Sequence, residues 1–174
     1  MSIEKLSRSL NVLFLIPLIG LPCMWVYFFI DISVFKSIVE AKMGNLIIWN
    51  TVELWQLYLL CLMLFLNCLI LLWGLVNLRM SFRAFAKSEV FVDSNIYYIK
   101  QFSLSLVVFS IINTFSYSIA SVLLSVNHPP GQKVLSIQIN STSIGVLLIG
   151  LVFWLIAKIL LKARDLELDN NAIV

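Results

Sequence analysis

Four apolar runs, each long enough to cross a bilayer, constrain this chain more than any other feature. Residues 10–30, 54–78 and 101–126 contain no Asp, Glu, Lys or Arg, and residues 143–161 contain only Lys158, near the end. A hydrocarbon core of about 30 Å takes roughly 20 apolar residues to cross as a helix. Backbone groups in lipid have to be satisfied within the segment or in a closed barrel. The alternating segments of about ten residues that a barrel needs do not occur. The expected fold is an all-α membrane protein, a bundle of four transmembrane helices forming one domain over residues 1–174. The composition agrees: 12% of residues are charged, against roughly 25% in average soluble domains.

The cations set the expected orientation. Lys5 and Arg8 precede the first run, Arg79, Arg83, Lys87 and Lys100 lie between the second and third, and Lys158, Lys162 and Arg164 end the fourth. Only Lys36, Lys42 and Lys133 fall in the other two loops. The positive-inside rule then puts both termini, and the loop between the second and third runs, in the cytoplasm. Lys5, Arg8 and the run after them also resemble a cleaved signal. Pro22 is a poor residue before a lipid-modified Cys23, and the apolar run continues well past it. The first helix is expected to be retained.

Both outer loops carry patterns of their own. Val34, Phe35, Ile38, Val39 and Met43 recur at helical spacing opposite Lys36, Glu40 and Lys42, which predicts a short amphipathic helix at the membrane surface. Gly44-Asn45 would end it. Asn50 and Glu53 have the spacing of a capping box for the second span, and Trp49 and Trp55 suit an interfacial aromatic belt. The second loop opens with the turn residues "NHPPGQ". In "KVLSIQIN", Leu135, Ile137 and Ile139 then alternate with Ser136, Gln138 and Asn140. That alternation predicts a strand. Its edge needs a partner, either the first outer loop or a second subunit in a homo-oligomer.

At the cytoplasmic side the second helix is expected to continue past Leu78, because "RMSFRAFAK" contains no breaker. Arg79, Arg83 and Lys87 then stand four apart on one face. The chain turns near Ser88–Val92, with Asp93 as N-cap of the third helix and Val92 and Tyr97 as a hydrophobic staple. Positive-inside topology and anionic lipid account for the cations alone. They do not account for Asp165, Glu167 and Asp169 after the fourth helix, where anionic headgroups repel acids. Two explanations remain: the tail pairs with the basic loop of its own chain, or it holds a soluble partner. In the second case Arg79, Phe82, Arg83, Phe85, Lys87, Asp165, Glu167 and Asp169 form a candidate docking surface, with Ile173-Val174 adding apolar contact. Charge would steer a soluble partner to it.

The third span is unusually polar. Ser103, Ser110, Thr114, Tyr117 and Ser121 fall on one stripe, with Asn113 beside it and Asn67 of the second span as its expected partner. Close packing through interhelical hydrogen bonds is favoured here over the lining of a ligand site. No acid lies inside a span, so the usual mark of ion-coupled transport is missing. Cys23, Cys61 and Cys68 sit in apolar spans and read as inert. His128 is the sole histidine, which rules out paired-histidine haem ligation within one chain. No nucleophile–base pair, phosphate loop or metal motif appears. No enzymatic activity and no cofactor are expected. Asn140-Ser141-Thr142 matches a glycosylation acceptor but lies too near the membrane to serve as one.

Two stretches carry a family resemblance. "FRAFAKSEVFVDSNIYYIKQFS" resembles the pattern F-x-x-G-x-x-F-t-x-x-N of domain-of-unknown-function family 2975, a bacterial family of small four-helix membrane proteins. Phe91 and Asn95 match it, and Ser88 stands where a glycine is more usual. The end, "GLVFWLIAKILLKARDLELDNNAIV", is similar to the family's closing helix, acidic run and apolar tail, through Leu166, Glu167, Asp169, Asn170 and Val174. The resemblance implies no catalytic residues. It implies the company of a small helix-turn-helix transcription regulator, hence a membrane sensor or tether that touches lipid and regulator but no nucleic acid directly. Two other classes stay open: immunity against a membrane-active toxin through the outer loops, and a small carrier or lipophile-binding protein using the polar stripe.

Overall fold

The computed structural model describes residues 9–87, 92–138 and 140–171. Lys5, Arg8, the expected turn from Ser88 to Phe91, Ile139, Ile173-Val174 and the side chains of Glu167 and Asn170 lie outside the described set. Four helices among the described residues are long and apolar enough to cross a membrane: Ser9–Ile30, Leu54–Ala86, Asp93–Ser125 and Ser141–Leu166. The chain is a multi-pass, all-helical membrane protein.

The first span is interrupted at Phe14, after which α1 runs over Leu15–Ile30. Pro17 accounts for the break, because it has no amide to donate and its ring crowds the carbonyl of Leu13, while Pro22 is accommodated inside α1. Asp31 ends α1 and caps α2 (Ile32–Met43), its side chain accepting from the amide of Ser33. Phe35, Val39 and Met43 share the buried face of α2, while Ile38 is exposed. Gly44, at φ 50°, closes the helix in a conformation that side chains disfavour.

α3 (Leu54–Ala86) continues past Leu78 as expected. Its capping box lies one turn later than the Asn50–Glu53 pair predicted from sequence. Glu53 caps the helix, and the Gln56 side chain accepts from the Glu53 amide at 2.7 Å. Gln56 is chosen because its other end is also used, donating to the Leu123 carbonyl at 2.7 Å. α4 (Asp93–Ser125) is capped by Val92, so Asp93 is its first residue and not the cap. With Val92 as the cap, Val92 and Tyr97 no longer hold the positions of the predicted staple, and both are exposed. α5 (Ser141–Asn171) outlasts the apolar run.

α4 lies between α3 and α5 and packs along both. Small residues allow the approach: a Cβ on Gly74 would stand 1.9 Å from Ser105 Oγ, and one on Gly150 would meet Val107 and Ser103. Two cores result. Trp25, Phe35, Leu57, Leu60 and Leu124 belong to the one at the α2 end. Leu78, Phe102 and Leu106, with Phe14 and Phe153 against them, form the other. The start of the first span and the last turns of α5 meet at the same, basic end, where Arg79 donates to Asn11 at 2.7 Å and Arg164 pairs with Asp93.

No strand forms among the described residues, which corrects the reading of residues 133–140. The segment is irregular and extended, and it lies against α4, which was neither of the two partners expected for it. The amides of Val134 and Ser136 donate to Ser125 Oγ and Ser121 Oγ at 3.1 and 3.0 Å. Two hydroxyls four apart on a helix are about 6 Å apart along its axis. Two amides two apart on an extended chain are separated by about 6.6 Å. The periods match closely enough for a helix to stand in for a strand.

Candidate functional site

The polar stripe of α4 divides into three parts. Its lower part is packing against α5: Ser103 Oγ donates to the Gly150 carbonyl at 2.9 Å, and Ser110 Oγ donates to the Ser143 carbonyl at 2.5 Å. Asn113 donates to Ser143 Oγ at 2.9 Å. Asn67 was the expected partner of Asn113, but it faces elsewhere and its buried Oδ1 has no hydrogen-bond partner. Thr114 turns back to the carbonyl of Ser110. The upper part, Ser121 and Ser125, holds the extended segment.

These contacts fix the register. Ser143 stands level with Ser110, so α5, which begins two residues earlier, starts roughly three and a half turns short of the end of α4, a drop of about 20 Å at 1.5 Å per residue. The extended segment covers that drop. His128 anchors its top: Nε2 accepts from the Ile48 amide at 3.1 Å, and Nδ1 lies 3.0 Å from the Gln132 carbonyl. A carbonyl only accepts, so Nδ1 carries the proton. One buried imidazole thus ties the first outer loop to the second. Only its uniqueness in the sequence pointed to it.

The middle of the stripe opens on a cavity of about 320 Å³ between α2, α3, α4 and the extended segment. Tyr117, Asn113 and Ser116 line its α4 wall, and Gln138 and Asn140 line the extended wall. The facing wall is apolar, with Val39 and Met43 from α2 and Leu60 and Leu64 from α3. Lys42, in the last turn of α2, is the one charged lining residue among the described residues. At this end the carboxyl of Asp31 is held below its ordinary value, chiefly by the Ser33 hydroxyl; desolvation opposes this, and the backbone amides of Ser33 and Val34 add smaller lowering effects.

The candidate docking residues at the basic end are only partly gathered. Arg79 is half-buried on Asn11, and Phe82 stacks on Phe14 with centroids 5.5 Å apart. Phe85 lies against Phe82, Arg83 reaches back to Met80, and Lys87 is exposed at the end of α3. On α5, Asp165 pairs with Arg164 at 2.7 Å, and Asp169 is exposed. Among the described residues, the ion pairs here join α5 to the start of α4 and to itself, not to the cations of α3. Leu166 and Leu168 are 58% and 59% exposed beside these acids; sequence matched Leu166 to the family's closing pattern but placed neither leucine on the docking surface. In a helix so apolar they read as one more turn of the span.

No curated protein and no solved structure matches the chain. One family model does, described as a protein of unknown function (DUF2975), over residues 12–174. With four long apolar helices and the Ser88-region and C-terminal patterns inside the matched stretch, the chain belongs to the DUF2975 family.

Proposed function

We propose that this chain is a regulatory protein of the bacterial inner membrane, without a catalytic step of its own, that holds a small soluble transcription regulator at the cytoplasmic face. The observation that carries this reading is the far end of α5. It continues as a helix from Lys158 to Asn171, about 20 Å at 1.5 Å per residue. That arm presents two exposed leucines among charged side chains. An apolar anchor inside a polar rim is the anatomy of a protein interface. The cation distribution supports a cytoplasmic position for the arm, and the family resemblance supports the kind of partner.

Truncation after Ala163 tests this. The regulator should move from the membrane fraction to the soluble fraction while the truncated protein stays in the membrane. Leu166→Glu with Leu168→Glu should do the same without shortening the chain. Capture of the same proteins by intact and truncated forms would sink the reading. Orientation is checked separately in cells: Lys87→Cys should resist an impermeant thiol reagent, whereas Lys42→Cys and Gln132→Cys should react.

A further inference from the structure

The cavity at the α2 end has a composition that packing does not require. One wall is apolar and the other carries neutral hydrogen-bonding groups, and among the described residues the lining has a single cation, Lys42, and no acid. Irregular backbone at membrane depth is tolerated only where protein buries it or where it lines a polar cavity. The segment carrying Gln138 and Asn140 runs down beside α4 to the level of Asn113 and lines this one.

We infer that this cavity binds the head of an anionic amphiphile: one negative charge at Lys42, hydroxyls along the Asn113–Gln138 wall, and carbon against Val39 and Leu64. Its volume of about 320 Å³ lies at the small end of ligand pockets. At roughly 30 Å³ per water, it has room for about ten water-sized groups. A glycerophosphate head fits that size; a whole two-chain lipid does not, so its tails would have to leave between α2 and α3 toward the bilayer. The same head chemistry occurs in an anionic glycerophospholipid and in free glycerol phosphate, and the test has to separate them.

The experiment uses the full chain in nanodiscs of phosphatidylglycerol or of phosphatidylcholine with the same acyl chains, followed by native mass spectrometry. The expected result is one phosphatidylglycerol retained per protein and no phosphatidylcholine. Lys42→Gln should reduce that retention about fivefold, the effect of one cation near a membrane surface. Leu64→Trp should abolish it by filling the cavity, while circular dichroism in lipid-free detergent shows the same helix content as the parent. Displacement of the lipid by millimolar glycerol 3-phosphate would identify the soluble molecule as the ligand. Retention that both variants leave unchanged, or equal retention of the two lipids, would overturn the inference.

Discussion

The amide of Ser136 donates to the hydroxyl of Ser121 at 3.0 Å, and through it a helix takes the place of a neighbouring strand. The same arrangement recurs one helical turn along, where Ser125 Oγ accepts from the Val134 amide and also lies 3.1 Å from its carbonyl. The first prediction follows from this pair. Ser121→Ala and Ser125→Ala should each cost about 1–3 kcal/mol, the penalty for a polar group stripped of its partner. Hydrogen exchange should show the amide of residue 136 unprotected in the first variant and that of residue 134 in the second. Retained protection would mean that water replaces the hydroxyls without loss.

His128 is held from two loops at once. His128→Ala should cost about 1–3 kcal/mol by leaving the Ile48 amide without an acceptor. Exchange at residue 48 should rise, and the effect should be larger there than anywhere on α5. His128→Gln, which can still accept, should recover part of the loss.

Asn67 and Asn113 are expected to respond in opposite senses. Asn113→Leu removes the donor to Ser143 and should destabilise the α4–α5 pair by about 1 kcal/mol. Asn67→Leu removes an acceptor that has no partner and should be neutral or stabilising in lipid-free detergent. Thermal unfolding of the two single variants decides the matter. A large loss for Asn67→Leu would show that its oxygen is satisfied in solution.

Gly74 has no space for a side chain. Gly74→Ala brings a Cβ against Ser105 and should cost about 1–3 kcal/mol as overpacking. Adding Ser105→Gly to it should recover much of that loss, because the clash is with the serine side chain. Lack of recovery would move the cause from contact to helix propensity.

The corner at Asp31 predicts a pH dependence. The Ser33 hydroxyl and backbone amides favour its ionised form, so its folded value lies below its unfolded one. The stabilisation is therefore present above the ordinary carboxylate range and is lost as the pH falls through the lowered folded value. Asp31→Asn should flatten that part of a stability profile; a profile identical to the parent's would remove Asp31 from the account.

The spans were legible because a run of apolar residues measures its own length against a bilayer. The continuation of α3 to Ala86 was legible for a related reason: nothing in "RMSFRAFAK" breaks a helix. Rotation and register were not. Hydropathy places Asn67 and Asn113 at similar depths but does not say which way each faces, so pairing them was an inference from depth alone. The alternation in "KVLSIQIN" reports one wet and one dry face, and nothing in that signal distinguishes a strand's edge from a row of helix hydroxyls. The caps slipped because Gln56 serves Glu53 and Leu123 together, and the second partner comes from a helix distant in sequence.

The early start of α5 also acts on the surrounding lipid. Along α4, apolar side chains such as Phe115, Ile119 and Val122 face outward nearly to the end of the helix, while above Ile144 the neighbouring surface is extended chain. The amides of Leu135 and Ile137 on its outer edge have no partner among the described residues, so water and headgroups have to come down to meet them. In a bilayer the leaflet would have to tilt across the width of one protein, at a cost of fractions of a kcal/mol per ångström of mismatch. Two molecules that share one such dent deform less lipid than two apart. The membrane itself would draw copies together, without any residue of one touching the other.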